Sequence, residues 1–152
     1  MILAEALTVR KELRTRLDDL KTRLMQSAVV QQGDQPPEDP EVLLLELETQ
    51  LTTYARLVAR IHRTNLAAKL PDGSSVTEAV AARDALDERV ATLRTLANHA
   101  GKVNERYTSS ELRYLPTVNV ALLRMEVDSS AQERRKLDVA IQQVNWRTEV
   151  LE

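Results

Sequence analysis

Four long stretches of this chain place apolar residues three and four positions apart, a spacing that fits amphipathic helices and fits strands poorly. In the first, Leu13, Leu17, Leu20 and Leu24 follow one register, with Leu3 and Ala6 extending it upstream. The second carries Leu44, Leu47, Leu51, Tyr54, Val58 and Ile61, and the third Leu86, Val90, Leu93, Ala97 and Ala100. The fourth runs through Val120, Leu123, Val127, Leu137, Ile141, Val144 and Leu151, with Ser130 and Arg134 at seam positions. The pattern predicts helices over about 2–28, 40–67, 77–103 and 119–146 within one helical domain, 1–152. A seam averaging ~3.5 residues favours gently supercoiled neighbours. The expected fold is all-α, an elongated antiparallel four-helix bundle of coiled-coil-like packing.

Breakers divide the stretches. Gly33, Pro36, Pro37 and Pro40 mark a loop between the first two helices. The turn signal Pro71-Asp72-Gly73, between Leu70 and Val76, predicts a short β-ribbon near 69–76. Partial alternation over Glu111–Val118, with Pro116 inside it, predicts an extended edge segment near 107–118. Asp39 followed by Pro40 fits the start of the second helix, and Thr77 and Asn119 are the expected caps of the third and fourth.

Composition removes several function classes. With no cysteine in 152 residues, disulfide frameworks, thiolate zinc sites and cysteine catalysis are excluded. A formal net charge of −2 gives no bulk attraction to nucleic acid or anionic lipid. The longest aliphatic run, Val42–Leu45, falls far short of the ~20 residues that span a bilayer. Charged residues are spread through Met1–Leu20, leaving no apolar leader core, so a cytoplasmic protein without stable membrane insertion is expected.

Catalytic patterns are missing. A helical di-iron site needs Glu-x-x-His pairs, but Ala59 and Leu96 stand three residues before His62 and His99. No Gly-rich phosphate loop, zinc-protease helix or nucleophile elbow occurs. Glu41, Glu46, Glu48, Asp84, Asp87 and Glu88 offer hard oxygen ligands, and they keep a magnesium-dependent all-helical nucleotide phosphohydrolase as an alternative. The reading that leans on fewest assumptions has no catalytic residue, metal or cofactor.

Two constellations remain. If the helices run up and down, Arg63, Asn65, Arg83, Asp84, Asn145 and Trp146 gather at one polar pole, with Glu5 and Glu78 nearby and the Pro71-Asp72-Gly73 turn over them. That pole is either a small-ligand pocket or a hydrogen-bonded network that fixes bundle register. Arg106, Tyr107, Glu111 and Tyr114 lie at the edge segment, where unpaired backbone groups can meet a second copy. Second apolar rows, Leu7 beside Leu3 and Leu43, Leu45 and Leu57 beside the main seam, are wider than one intramolecular core needs and point to a homo-oligomer.

The run Arg63-Thr64-Asn65, Leu70-Pro71-Asp72-Gly73, Thr77-Glu78-Ala79, Ala82-Arg83-Asp84, Arg106-Tyr107 and Asn145-Trp146, with Glu38-Asp39-Pro40, resembles the septicolysin-like family of small bacterial helical proteins over nearly the whole chain. The resemblance implies an all-helical protein of uncharacterised role, and the family name suggests a cytolysin-like alternative. The expected function is therefore non-enzymatic: a self-assembling helical protein acting through a protein partner or a small ligand.

Overall fold

The computed structural model describes residues 1–102 and 114–152. Four helices follow one another: α1 (Leu3–Ser27), α2 (Pro40–Ala67), α3 (Val76–Lys102) and α4 (Val120–Asn145). The all-α expectation holds. The chain forms two compact units, Met1–Ala68 with Val144–Glu152, and Lys69–Gln143.

In the first unit, α1 and α2 form an antiparallel hairpin. Leu3, Ala6 and Leu13 of α1 pack in one cluster with Leu57 and Ile61 of α2 and with Val150. At the other end of the hairpin, Arg23 holds Glu38 through both Nε (2.8 Å) and Nη2, and Glu46 lies 3.9 Å from its Nη1. Asp39 caps α2 by accepting from Glu41 N–H at 2.9 Å, with Pro40 at the first helical position, where its missing N–H costs nothing.

The inward row of α2 departs from the predicted seam in the first half of the helix, where Leu43 and Gln50 take the place of Leu44 and Leu51, whereas Ile61 is buried and Tyr54 half-buried as the seam predicts. Leu43, Leu57, Ile61 and Thr64 are buried, with Gln50 and Tyr54 half-buried on the same row, whereas Leu44 and Leu51 are exposed. Both rows are rich in leucine at helical spacing, so periodicity alone does not separate them. The polar Gln50 and Thr64 disguise the row that faces inward.

In the second unit, α3 and α4 also run antiparallel. Arg83 lies 3.5 Å from Asp138, Arg134 donates to Asp87 at 2.8 Å, and Arg89 lies 3.4 Å from Glu126. Val76, Ala79, Ala97 and Ala100 of α3 are buried, as are Val127, Ser130 and Ile141 of α4. Asn119 caps α4 by accepting from Leu122 N–H at 3.1 Å. Ser75, two residues before the expected Thr77, caps α3: its Oγ accepts from Glu78 N–H at 3.2 Å while Glu78 Oε2 accepts from Ser75 N–H at 2.7 Å. This is a complete capping box.

The β-ribbon expected near 69–76 is not formed. Only an isolated antiparallel bridge joins Lys69 to Ser75, closed by a turn in which Gly73 N–H donates to Leu70 O at 2.9 Å. Gly73 has φ +87°, a conformation that side-chain-bearing residues rarely adopt. With α3 starting at Val76, no residues are left to lengthen a ladder. Most of the edge segment predicted near 107–118 lies outside the described residues, and residues 114–119 are irregular.

Candidate functional site

The two hairpins are an internal repeat. Aligned without a gap, Ile2–Ala28 on Ser75–Gly101 pairs Glu5 with Glu78, Ala6 with Ala79, Arg10 with Arg83, Leu13 with Leu86 and Leu20 with Leu93. Asp39–Leu70 on Asn119–Val150 pairs Leu43 with Leu123, Glu46 with Glu126, Leu57 with Leu137, Ile61 with Ile141 and Asn65 with Asn145. Hydrogen bonding repeats with the residues. Ile2 N–H donates to Glu5 Oε2 at 3.0 Å as Ser75 N–H does to Glu78, although Ile2 has no side-chain oxygen to complete the box. Val150 N–H donates to Met1 O at 3.0 Å, and Leu70 N–H donates to Ser74 O at 2.8 Å. Ile2 bridges to Glu149, as Ser75 does to Lys69.

The repeat is the sequence signal that motif searching misses. The stretches of sequence between the helices differ in length and break the alignment between halves, so no single offset runs from end to end. It also turns the second hairpin into a comparison for the first: where equivalent positions differ, one unit has been altered.

One such alteration opens a cleft of about 650 Å³ in the second unit, beneath the Pro71–Ser74 turn and between α3 and α4. Leu70, Pro71, Ala79, Ala82, Leu137 and Ala140 form its apolar lining. Asp72, Glu78, Glu133 and Lys136 stand around it. Two of the lining alanines replace larger residues of the first unit: Ala82 corresponds to Val9, and Ala140 to Arg60. Arg60 is half-buried, and its Nε donates to Leu151 O at 3.0 Å, reaching the residue that corresponds to Pro71. The first unit thus fills with an arginine a place that the second leaves open. Hydrogen bonds from the Ser75 N–H and hydroxyl hold the Glu78 carboxyl below the usual glutamate range, and Ser74 does the same for Asp72.

The residues expected at a polar pole are distributed over both units. Arg63, Asn65, Asn145 and Trp146 belong to the first, and Arg83 and Asp84 to the second. Arg63 and Trp146 are exposed. The Oδ1 atoms of Asn65 and Asn145, at repeat-equivalent positions, are buried without a hydrogen-bond partner among the described residues. Arg83 is held by Asp84 at 2.9 Å and by Asp138, and these carboxylates raise its pKa, Asp84 first. Of the expected oligomer contacts, Arg106, Tyr107 and Glu111 lie outside the described residues, and Tyr114 is exposed.

The carboxylates that kept a magnesium enzyme under consideration are occupied or dispersed. Asp84 faces Arg83, Asp87 faces Arg134 and Glu46 faces Arg23. Among the described residues no three acidic, histidine or cysteine side chains form a group that could hold a metal ion. Among the same residues no helix is long and apolar enough to cross a membrane.

Fold and cleft together define a duplicated αα-hairpin protein. Residues 10–150 match the model described as "Family of unknown function (DUF6847)", and the chain belongs to that family. This corrects the septicolysin-like resemblance: the family that the chain matches is a different one, and the cytolysin-like alternative loses its basis with the name. A solved structure described as a functionally unknown conserved protein from Corynebacterium diphtheriae is similar at a TM-score of 0.93. It is 40% identical, and the match covers 99% of each chain. None of the curated proteins matches the chain.

Proposed function

We propose that the protein is a non-enzymatic helical protein that works by self-association, each hairpin contributing an apolar surface to contact with a second copy. One observation carries this. The first turns of α2 and α4 expose equivalent apolar pairs, Val42 and Leu45 at 59% and 71%, Leu122 and Met125 at 54% and 67%. Each pair is spaced i, i+3 and so shares one helix face. Met25 and Val29 are exposed at the same end of the first hairpin, and Tyr114 and Leu115 just before α4 in the second. Apolar area left in water costs about 25 cal/mol per Å², and repetition of the same exposed pair in both hairpins favours a use over chance. A chain with two like patches suits closed assembly from identical copies, because the same surface can serve on both sides of a contact.

Sedimentation velocity at micromolar concentration tests the proposal. The expected result is a defined oligomer for the wild type and a monomer for the double variant Leu45→Glu, Met125→Glu, with helicity unchanged. A wild-type chain that sediments as a monomer over the whole concentration range overturns it.

A further inference from the structure

We infer that the cleft beneath the Pro71–Ser74 turn binds a small organic cation, an alkyl- or arylammonium whose apolar body lies on the alanine and leucine lining. The size fits: small-molecule sites usually fall between ~300 and 1,000 Å³ and pair an apolar lining with a few polar groups that set orientation. At about 650 Å³ the cleft lies inside that range.

Charge selects the ligand class. Three carboxylates, Asp72, Glu78 and Glu133, stand around the cleft with the ammonium of Lys136, and Lys69, outside the lining, acts on Glu78, so the balance of charge at the cleft is still acidic. The serine hydrogen bonds to Asp72 and Glu78 favour their ionised forms, so both remain anionic at neutral pH. Among the described residues Glu133 joins no ion pair, which leaves its carboxylate to an incoming cation. An anionic ligand would meet a surplus of like charge, and a neutral one would lack the charge attraction that a cation gains from the rim.

The repeat argues that the site is particular to the second unit. Where the first unit has Thr53, Arg60 and Val9, the second has Glu133, Ala140 and Ala82. Three substitutions therefore converge on one place, removing a cation and side-chain volume and adding a carboxylate. The guanidinium of Arg60 in the first unit marks the kind of charge that the second unit lacks there. This inference rests on the cleft alone and is independent of self-association.

Three ligands of nearly equal shape test it by calorimetry at neutral pH: indole-3-ethylammonium, the neutral indole-3-ethanol and indole-3-acetate. The expected result is one-to-one binding of the cation, about tenfold tighter than the acetate, since like-charge placement at a rim is penalised. Glu133→Gln, an exposed substitution that disturbs no packing, should weaken the cation about fivefold and leave the alcohol unchanged. Ala140→Arg, which restores the first unit's residue, should abolish binding of all three. The inference is overturned if the cation fails to saturate at millimolar concentration, if the acetate binds as tightly, or if Glu133→Gln leaves the cation's affinity unchanged. Should Ala140→Arg not fold, the Glu133 variant and the ligand series still decide. Sedimentation of the same samples reports self-association separately.

Discussion

The backbone N–H of Leu151 donates to Thr64 Oγ1 at 3.0 Å, and that same hydroxyl donates to Arg60 O at 2.8 Å. Thr64 is almost wholly buried, so its hydroxyl ties the last turn of α2 to the segment that follows α4. Together with the bonds from Leu3 N–H to Thr148 O and from Val150 N–H to Met1 O, it fixes the segment that seats Val150 in the first unit's core.

Thr64→Val keeps the shape and removes the hydroxyl, leaving the Leu151 N–H without its acceptor. The expected loss is about 0.5–1.5 kcal/mol, the net worth of an ordinary hydrogen bond, since Leu151 itself is partly open to water. Thr53→Val is the control, because the Thr53 hydroxyl bonds Thr49 O on an exposed face, and it should stay within ~0.5 kcal/mol of the parent. Urea midpoints measured at one protein concentration distinguish the two.

The inward register of α2 makes a sharper test. Leu43→Ala should cost about 2–5 kcal/mol, as deletion of a buried leucine side chain does, whereas Leu44→Ala on the neighbouring exposed row should change little. A larger loss from Leu44→Ala than from Leu43→Ala would place the seam where leucine periodicity alone puts it.

The cap of α3 predicts a pH dependence. Glu78 has a folded pKa lowered from 4.5, first by the Ser75 N–H and next by its hydroxyl, with Lys69 lowering it further and Asp72 opposing. A depressed folded pKa means stability that is fully present above the ordinary glutamate value and is lost as pH falls through the folded one. Glu78→Gln should therefore be less stable than the parent at neutral pH, with the gap closing in acid below the ordinary glutamate range. Ser75→Ala should cost about 1 kcal/mol at pH 7 through the lost cap. Denaturant titrations across that pH range check both.

Asn65 and Asn145 each bury an Oδ1 without a partner among the described residues. An unpaired buried carbonyl is costly, so Asn65→Leu should leave the urea midpoint unchanged or raise it, with helicity retained. If self-association needs a single register, the variant should also sediment heterogeneously, because a buried polar residue can fix register at the expense of stability. A fall of several kcal/mol would instead show that the amide is bonded in solution.

Helix type was legible because four stretches carry apolar residues at helical spacing for many turns, and because Asp39-Pro40 and Asn119 are caps whose chemistry is local. The inward row of α2 was not, since Leu44 and Leu51 are as apolar as Leu43 and Leu57 and only packing selects between them. Sequence alone does not choose between Thr77 and Ser75 as the α3 cap, since both carry a hydroxyl and the nearby Gly73 turn obscures where the helix starts. The ribbon near 69–76 was over-read from a turn signal, which fixes the turn and says nothing of how many residues can pair beside it. The cleft is invisible in principle to motif reasoning, because it is opened by two alanines, Ala82 and Ala140, that draw attention only against Val9 and Arg60 in the other half.

The second unit is one uninterrupted run, Lys69–Gln143, whereas the first requires Val144–Glu152 to return to Met1–Ala68. Synthesis from the amino end therefore treats them unequally. The helical pair made earlier stays without Val150 in its core until that residue has been made, whereas the later pair needs nothing beyond Gln143. During that interval its greasy interior stands partly open, and transiently exposed apolar surface of this kind makes an incomplete chain prone to aggregate.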